Sequence, residues 1–105
     1  MGIKFDGTNV KNGSRVVANM KRSNELREGS SSSGKAMGNI KRNNEIREGS
    51  SSSGKALCNI KDGKNIRLGS SSGGRTQIKL SDAAKSIGTS AQGPSTAMVW
   101  WFFAR

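Results

Sequence analysis

Apolar residues are sparse in this chain and recur at a fixed interval of 20 positions. In residues 41–60, Ile46 stands alone among charged neighbours, and Ala56, Cys58 and Ile60 occupy every second position further on. A period of two is typical of a β-strand that buries one face. The pattern therefore predicts two short strands per interval, the first around Ile46 and the second ending near Ile60.

The interval is filled by three full copies of one pattern, residues 21–40, 41–60 and 61–80, called copies 1, 2 and 3 below. A shorter version at residues 9–20 precedes them. A copy that contains a Gly/Ser tract has no room for a helix of ordinary length, whereas two strands and two turns fit. Asn and Asp-Gly favour the positive φ angles of hairpin turns, which places tight turns at 22–24, 42–44 and 62–64. Residues 1–80 are therefore predicted to form four β-hairpins.

Alignment of the copies predicts the core. The first strand contributes Val10, Leu26, Ile46 and Ile66, and the second strand ends with Met20, Ile40, Ile60 and Leu80. Between these two sets lie Ala18, Gly38, Cys58 and Ile78. The opposite face of the second strand carries Val17, Met37, Leu57 and Gln77. Cys58 aligns with Ala18 and Gly38, so we interpret it as a small buried side chain and not as a reactive thiol.

Two all-β architectures satisfy this pattern: a closed pseudo-fourfold ring of hairpins or an open β-solenoid. The small number of copies favours the ring. The sequence Ile-Arg-Glu-Gly-Ser-Ser-Ser-Ser-Gly-Lys, followed by Asn-Ile-Lys, a later Asp-Ala-Ala-Lys-Ser-Ile-Gly segment and an aromatic end, resembles small bacterial repeat proteins described as four-fold β-flowers. The resemblance covers most of the chain, implies the ring fold and leaves function open.

Residues 81–105 depart from the repeat, within what we expect to be a single domain of residues 1–105. A start at Ser81 or Asp82 and a stop at Gly88 predict a short helix, and residues 89–96 are predicted to be a linker. The aromatic residues that follow are expected to form a strand that pairs with residues 3–5 and closes the core. The alternatives are a subunit contact or a membrane-interface anchor. The aromatic residues are Trp100, Trp101, Phe102 and Phe103.

Composition narrows the functional classes. The chain has 18 basic and 7 acidic residues and a net charge of +11, which predicts non-specific attraction to a polyanion such as nucleic acid or an anionic surface. It has no histidine and one cysteine, so an intramolecular disulfide, a histidine base and a thiolate metal cage are excluded. We therefore expect neither an enzyme nor a cofactor. With no signal-like segment and no apolar run of about 20 residues, we expect a cytoplasmic protein without a transmembrane span, with peripheral membrane association left open.

The candidate anion-binding residues are cations that recur at equivalent positions near the Gly/Ser loops. They are Arg27, Arg47 and Arg67 before the loops, Lys35, Lys55 and Arg75 after them, and Lys21, Lys41 and Lys61 at the copy boundaries. Gly-rich loops can direct several backbone N–H groups at one anion, and neighbouring cations can hold phosphate or sulfate. The alternative is that the loops are plain linkers, with the arginines paired to Glu25, Glu28, Glu45 and Glu48.

The resulting functional hypothesis is a non-catalytic basic module that binds an anionic partner through its cationic loops. The alternative hypothesis is a structural or self-assembling protein, including a homo-oligomer joined by the aromatic segment. A nucleotide-binding P-loop is excluded because Ala56 follows Lys55 where that motif requires Ser or Thr, and Ala36 follows Lys35 in the same way.

Overall fold

The structure, a computed structural model, describes residues 2–21, 25–30, 34–41, 45–49, 54–61, 63–69, 74–89 and 93–105. Within these ranges nine strands form one antiparallel sheet, and each strand pairs with its neighbours in sequence. The strands are β1 Ile3–Phe5, β2 Asn9–Asn12, β3 Arg15–Lys21, β4 Glu25–Glu28, β5 Ala36–Lys41, β6 Glu45–Glu48, β7 Ala56–Lys61, β8 Asn65–Leu68 and β9 Thr76–Lys79. Helices α1 Leu80–Ser86 and α2 Pro94–Phe103 follow.

The prediction of two short strands per copy is confirmed. Copy 1 contributes β4 and β5, copy 2 contributes β6 and β7, and copy 3 contributes β8 and β9. The predicted tight turns at 22–24 and 42–44 lie outside the described residues, as does Asp62. In the third turn, Gly63 has a φ of 67° and the Lys64 N–H donates to the Lys61 carbonyl at 3.0 Å. The positive φ explains why glycine stands there.

The first-strand residues chosen from the repeat form the centre of the core. Val10, Leu26, Ile46 and Ile66 are completely buried, and Cys58 is completely buried beside them. The prediction that Cys58 is a small buried side chain is therefore confirmed. Burial raises the pKa of its thiol to about 12, which keeps it protonated at neutral pH.

A β-bulge in each hairpin changes which residues reach the core. The pairing of β4 with β5 shifts between Leu26 and Arg27, so that Met37 is an extra residue in β5. The same shift makes Val17 and Leu57 extra residues in their strands. A bulge interrupts strict alternation and twists the strand. All three side chains are partly buried and pack against the core, which confirms their place in the predicted core.

The sheet is open, and the predicted closed ring does not form. The strand order runs from β1 to β9 without pairing between these two ends. The free edge of β1 is instead met by the end of α1, where the Phe5 N–H donates to the Ile87 carbonyl at 2.9 Å. This bond satisfies one backbone donor at that edge without a contribution from β9.

The short helix predicted between Ser81 and Gly88 is confirmed as α1. The predicted aromatic closing strand is wrong, since this segment is helix α2, which begins at Pro94 within the predicted linker. Proline suits the first turn of a helix, and a helix satisfies its backbone without a strand partner. Helix α2 packs against β1, β5, β6, β7 and α1. It thus supplies the apolar area that the sheet core requires.

Candidate anion-binding surface

Each arginine that precedes a Gly/Ser loop holds the far end of that loop. The Nη1 groups of Arg27 and Arg47 donate to the carbonyls of Gly34 and Gly54 at 2.7 Å. Arg67 makes the equivalent bond to the carbonyl of Gly74 at 2.9 Å. A charged donor on a carbonyl forms a strong hydrogen bond. These three arginines therefore position the ends of the loops, which the repeat alone did not reveal.

Two of the three arginines are also neutralised by a carboxylate on the same strand. Glu25 Oε1 accepts from Arg27 Nη2 at 2.7 Å, and Glu45 Oε1 accepts from Arg47 Nη2 at 2.8 Å. Side-chain exposures of 12–19% show that both pairs are largely shielded from solvent. The expected pairing of glutamates with these arginines is therefore confirmed for Glu25 and Glu45. Arg27 and Arg47 have little charge left for an external anion.

Copy 3 lacks both glutamates. Asn65 stands where Glu25 and Glu45 stand in the other copies, and Leu68 stands where Glu28 and Glu48 stand. Among the described residues, the Nε of Arg67 is buried and has no hydrogen-bond partner. In the described part of copy 3, Arg67 therefore has no carboxylate at the position where Arg27 and Arg47 have ion pairs. Alignment of the copies contains this signal, but the prediction of cations recurring at equivalent positions did not use it.

The cations after the loops lie at the surface. Lys35, Lys55 and Arg75 are exposed, and their carbonyls accept hydrogen bonds from the N–H groups of Glu28, Glu48 and Leu68. The backbone is thus fixed while the charged groups remain accessible to solvent. Among the serines whose amides were predicted to cradle an anion, Ser30 is described and exposed, whereas residues 31–33, 50–53 and 70–72 lie outside the described residues.

The cations at the copy boundaries lie at strand ends. Lys21 and Lys41 pair in register with Glu25 and Glu45, and Lys61 pairs with Asn65. All three are partly buried. Opposite charges at facing positions of an antiparallel pair stabilise it modestly. Lys61 lacks this partner, which adds to the positive charge of copy 3.

Two further lysines of copy 3, absent from the predicted set, belong to the same surface. Lys64 and Lys79 are exposed and line a surface cavity of about 320 Å3 with Gly63, Asn65 and Ser81. Lys79 faces Asn65 across the β8–β9 pair. In copy 2 the position of Lys79 is taken by Asn59, whose side-chain amide donates to the Gly69 carbonyl at 2.7 Å. The change to lysine again favours positive charge in copy 3.

The aromatic residues of α2 divide between the core and the surface. Trp100 is 6% exposed and belongs to the core, whereas Trp101, Phe102 and Phe103 are only partly buried. Arg105 lies over the Trp101 ring at 3.6 Å from its centroid. Arg105 and Trp101 also line a cavity of about 310 Å3 with Leu57 and Leu68. This end of α2 is therefore an apolar surface with a cation beside it.

The described residues contain no cluster of three His, Cys, Asp or Glu side chains that could hold a metal ion. Neither helix in the described part of the chain has the length and apolar character needed to cross a membrane. No family model, curated protein or solved structure is detectably similar to the chain. The resemblance to four-fold β-flower proteins therefore stays a prediction, and function is inferred from the geometry.

Proposed function

We propose that this chain is a non-catalytic module that binds an anionic partner, a polymer or surface bearing phosphate or sulfate groups. The observation that carries the proposal is the charge asymmetry between the copies. In copies 1 and 2 glutamates accompany the cations, and in copy 3 Arg67 and Arg75 have neutral residues at those positions. An uncompensated group of cations attracts polyanions at long range.

The exposed cations provide the contacts in this proposal. Lys61 at the strand end, Lys64 and Lys79 at the cavity, and Arg75 after the loop extend along copy 3. Arg27 and Arg47 serve mainly to fix the loops, since their guanidinium groups already bind Glu25 and Glu45. Binding is therefore expected to concentrate on copy 3, with Lys35 and Lys55 as weaker contributors.

The test measures retention on heparin and affinity for duplex DNA as salt concentration rises. We expect both to fall steeply with salt, since each phosphate contact contributes about 0.9 to the slope of log affinity on log salt. Arg75→Glu is expected to reduce that slope by about one unit or more. Lys55→Glu, the equivalent change in copy 2, serves as the matched control and is expected to have a smaller effect. Equal effects of the two variants, or retention that survives high salt, would contradict the proposal.

Self-association is the second candidate, and one observation favours it. Leu68 is 45% exposed, the only large apolar side chain of the described residues that is exposed, and it lines a cavity with Trp101. Exposed apolar surface of this kind marks contact sites between proteins. Because Glu48 occupies this position in copy 2, the apolar character is specific to copy 3.

A further inference from the structure

Arg67 is anchored like its two counterparts but lacks their carboxylate. In copy 1, a single oxygen of Glu25 accepts from Arg27 Nε at 3.0 Å and from Nη2 at 2.7 Å. Copy 2 repeats this arrangement at 3.0 and 2.8 Å. Arg67 keeps the Nη1 bond to the loop, while Asn65, which is neutral and one methylene shorter than Glu, stands at the glutamate position. The chain thus contains two examples of a carboxylate bound by the arginine at this position of the repeat.

The unpartnered Nε gives this difference an energetic consequence. It is buried, and it donates to no acceptor in the described part of the chain. Buried donors are nearly always satisfied, and a donor on a charged group is especially costly to leave unpaired. An anion that accepts a hydrogen bond from this Nε is therefore expected to bind Arg67 more tightly than it binds an ordinary surface arginine.

A surface cavity lies beside Asn65, the residue at the glutamate position. Asn65 lines the cavity of about 320 Å3 described above, together with Lys64 and Lys79. Both lysines are exposed and carry charge of the same sign as Arg67. The described lining of this cavity thus includes two lysines and no carboxylate, and such a lining attracts an anion.

We propose that Arg67, Lys64 and Lys79 form a discrete site for one carboxylate group, supplied by a small organic acid or by an acidic side chain of a partner protein. The bound carboxylate takes the place beside Arg67 that Glu25 and Glu45 take beside their arginines, and it accepts hydrogen bonds from Nε and Nη2. The proposal rests on the function proposed above in one respect, that copy 3 binds anions. It adds a ligand class and a defined geometry.

The direct test follows the Arg67 Nε–H resonance by NMR in the unmodified protein at constant ionic strength. Acetate and an amidated peptide of glutamates are the two carboxylate probes, and inorganic phosphate is the comparison. We expect a saturable shift at Arg67 with a carboxylate probe and none at Arg27 or Arg47. A response to both probes indicates that any accessible carboxylate binds, and a response to the peptide alone indicates an acidic partner. An Arg67 that does not respond, or responds equally to phosphate, overturns the site.

A second test uses variants that exchange the residue types of copies 2 and 3 at the position of Glu45 and Asn65. Asn65→Glu supplies the internal carboxylate and is expected to weaken acetate binding by about tenfold or more. Ser14→Glu makes the same change of charge in an exposed turn and is expected to leave acetate binding unchanged. Glu45→Asn removes the carboxylate from copy 2 and is expected to make Arg47 Nε–H responsive. An unresponsive Arg47 in a folded Glu45→Asn protein would contradict the role assigned to this position.

The two proposals fail separately. If the protein shows no salt-dependent retention on heparin but Arg67 responds to acetate, the polyanion function is contradicted and the carboxylate site stands. Salt-dependent retention with an unresponsive Arg67 overturns the site and leaves the polyanion function.

Discussion

At the scale of single residues, Gly38 lies where the sheet closely approaches Phe102 of α2. A Cβ at this position would lie 2.8 Å from Cε2 of Phe102 and 3.1 Å from the Arg47 carbonyl oxygen. The equivalent residues Ala18 and Cys58 carry side chains that are completely buried. Phe102 therefore fills the space that a side chain occupies in the neighbouring copies.

We expect Gly38→Ala to lower the free energy of unfolding by about 1–3 kcal/mol, because the carbonyl cannot move away and the phenyl ring must. Chemical denaturation measures this. The double variant Gly38→Ala/Phe102→Ala tests the cause, since removal of the ring relieves one of the two contacts. A loss in the double variant equal to the sum of the two single losses would show that Phe102 is not responsible.

The asparagines of the second strands show where residue-level prediction is limited. Asn39 is 5% exposed, and its side-chain amide donates to the Gly49 carbonyl at 2.8 Å. Asn19 and Asn59 make the same contact with Gly29 and Gly69. Hydrophobic patterning gives no reason to bury an asparagine. The contact depends on the loop glycine lying within reach, which only the folded register determines.

At the scale of elements, the strands were predictable and the last helix was not. Ile46 amid charges and the alternation that ends at Ile60 specify strands, because a period of two has no helical interpretation. The segment from Met98 to Phe103 is continuously apolar, so its hydrophobic pattern does not distinguish a helix from a strand. Aromatic and β-branched residues favour a strand there. The structure forms a helix that packs against β1, β5, β6, β7 and α1, and this packing buries its residues from Thr96 to Trp100.

Deletion of residues 98–105 is expected to abolish cooperative unfolding. Met98 and Val99 are completely buried and Trp100 nearly so, and each contributes about 1.5–3 kcal/mol. That loss is comparable to the 5–15 kcal/mol stability of a typical domain. Thermal denaturation followed by circular dichroism measures the outcome, and deletion of the exposed Arg105 alone is the control. A cooperative transition in the truncated protein would show that α2 is dispensable for the core.

At the scale of the whole molecule, the repeat predicted the sheet but not how the chain ends meet. Four equivalent hairpins suggest a closed ring, since equal units tend to assemble symmetrically. The ends of the sheet are unequal, however: β1 is held by Ile87, and β9 runs directly into α1. Such long-range contacts carry no periodic signal. The copies also differ in charge, since copies 1 and 2 each have four basic and two acidic residues and copy 3 has five basic and one acidic residue, a difference that the net charge of +11 conceals.

That distribution of charge separates the two functional candidates through the sign of their salt dependence. Repulsion between chains of charge +11 opposes self-association, and added salt screens it. If Leu68 and Trp101 join copies of the chain, light scattering is expected to show a mass that rises with both protein and salt concentration. Leu68→Glu, which restores the residue type of copy 2, is then expected to return the monomer mass.

Polyanion binding, in contrast, weakens as salt concentration rises. A constant monomer mass at every salt concentration rejects self-association, whereas a salt-induced oligomer that persists in Leu68→Glu places the contact elsewhere.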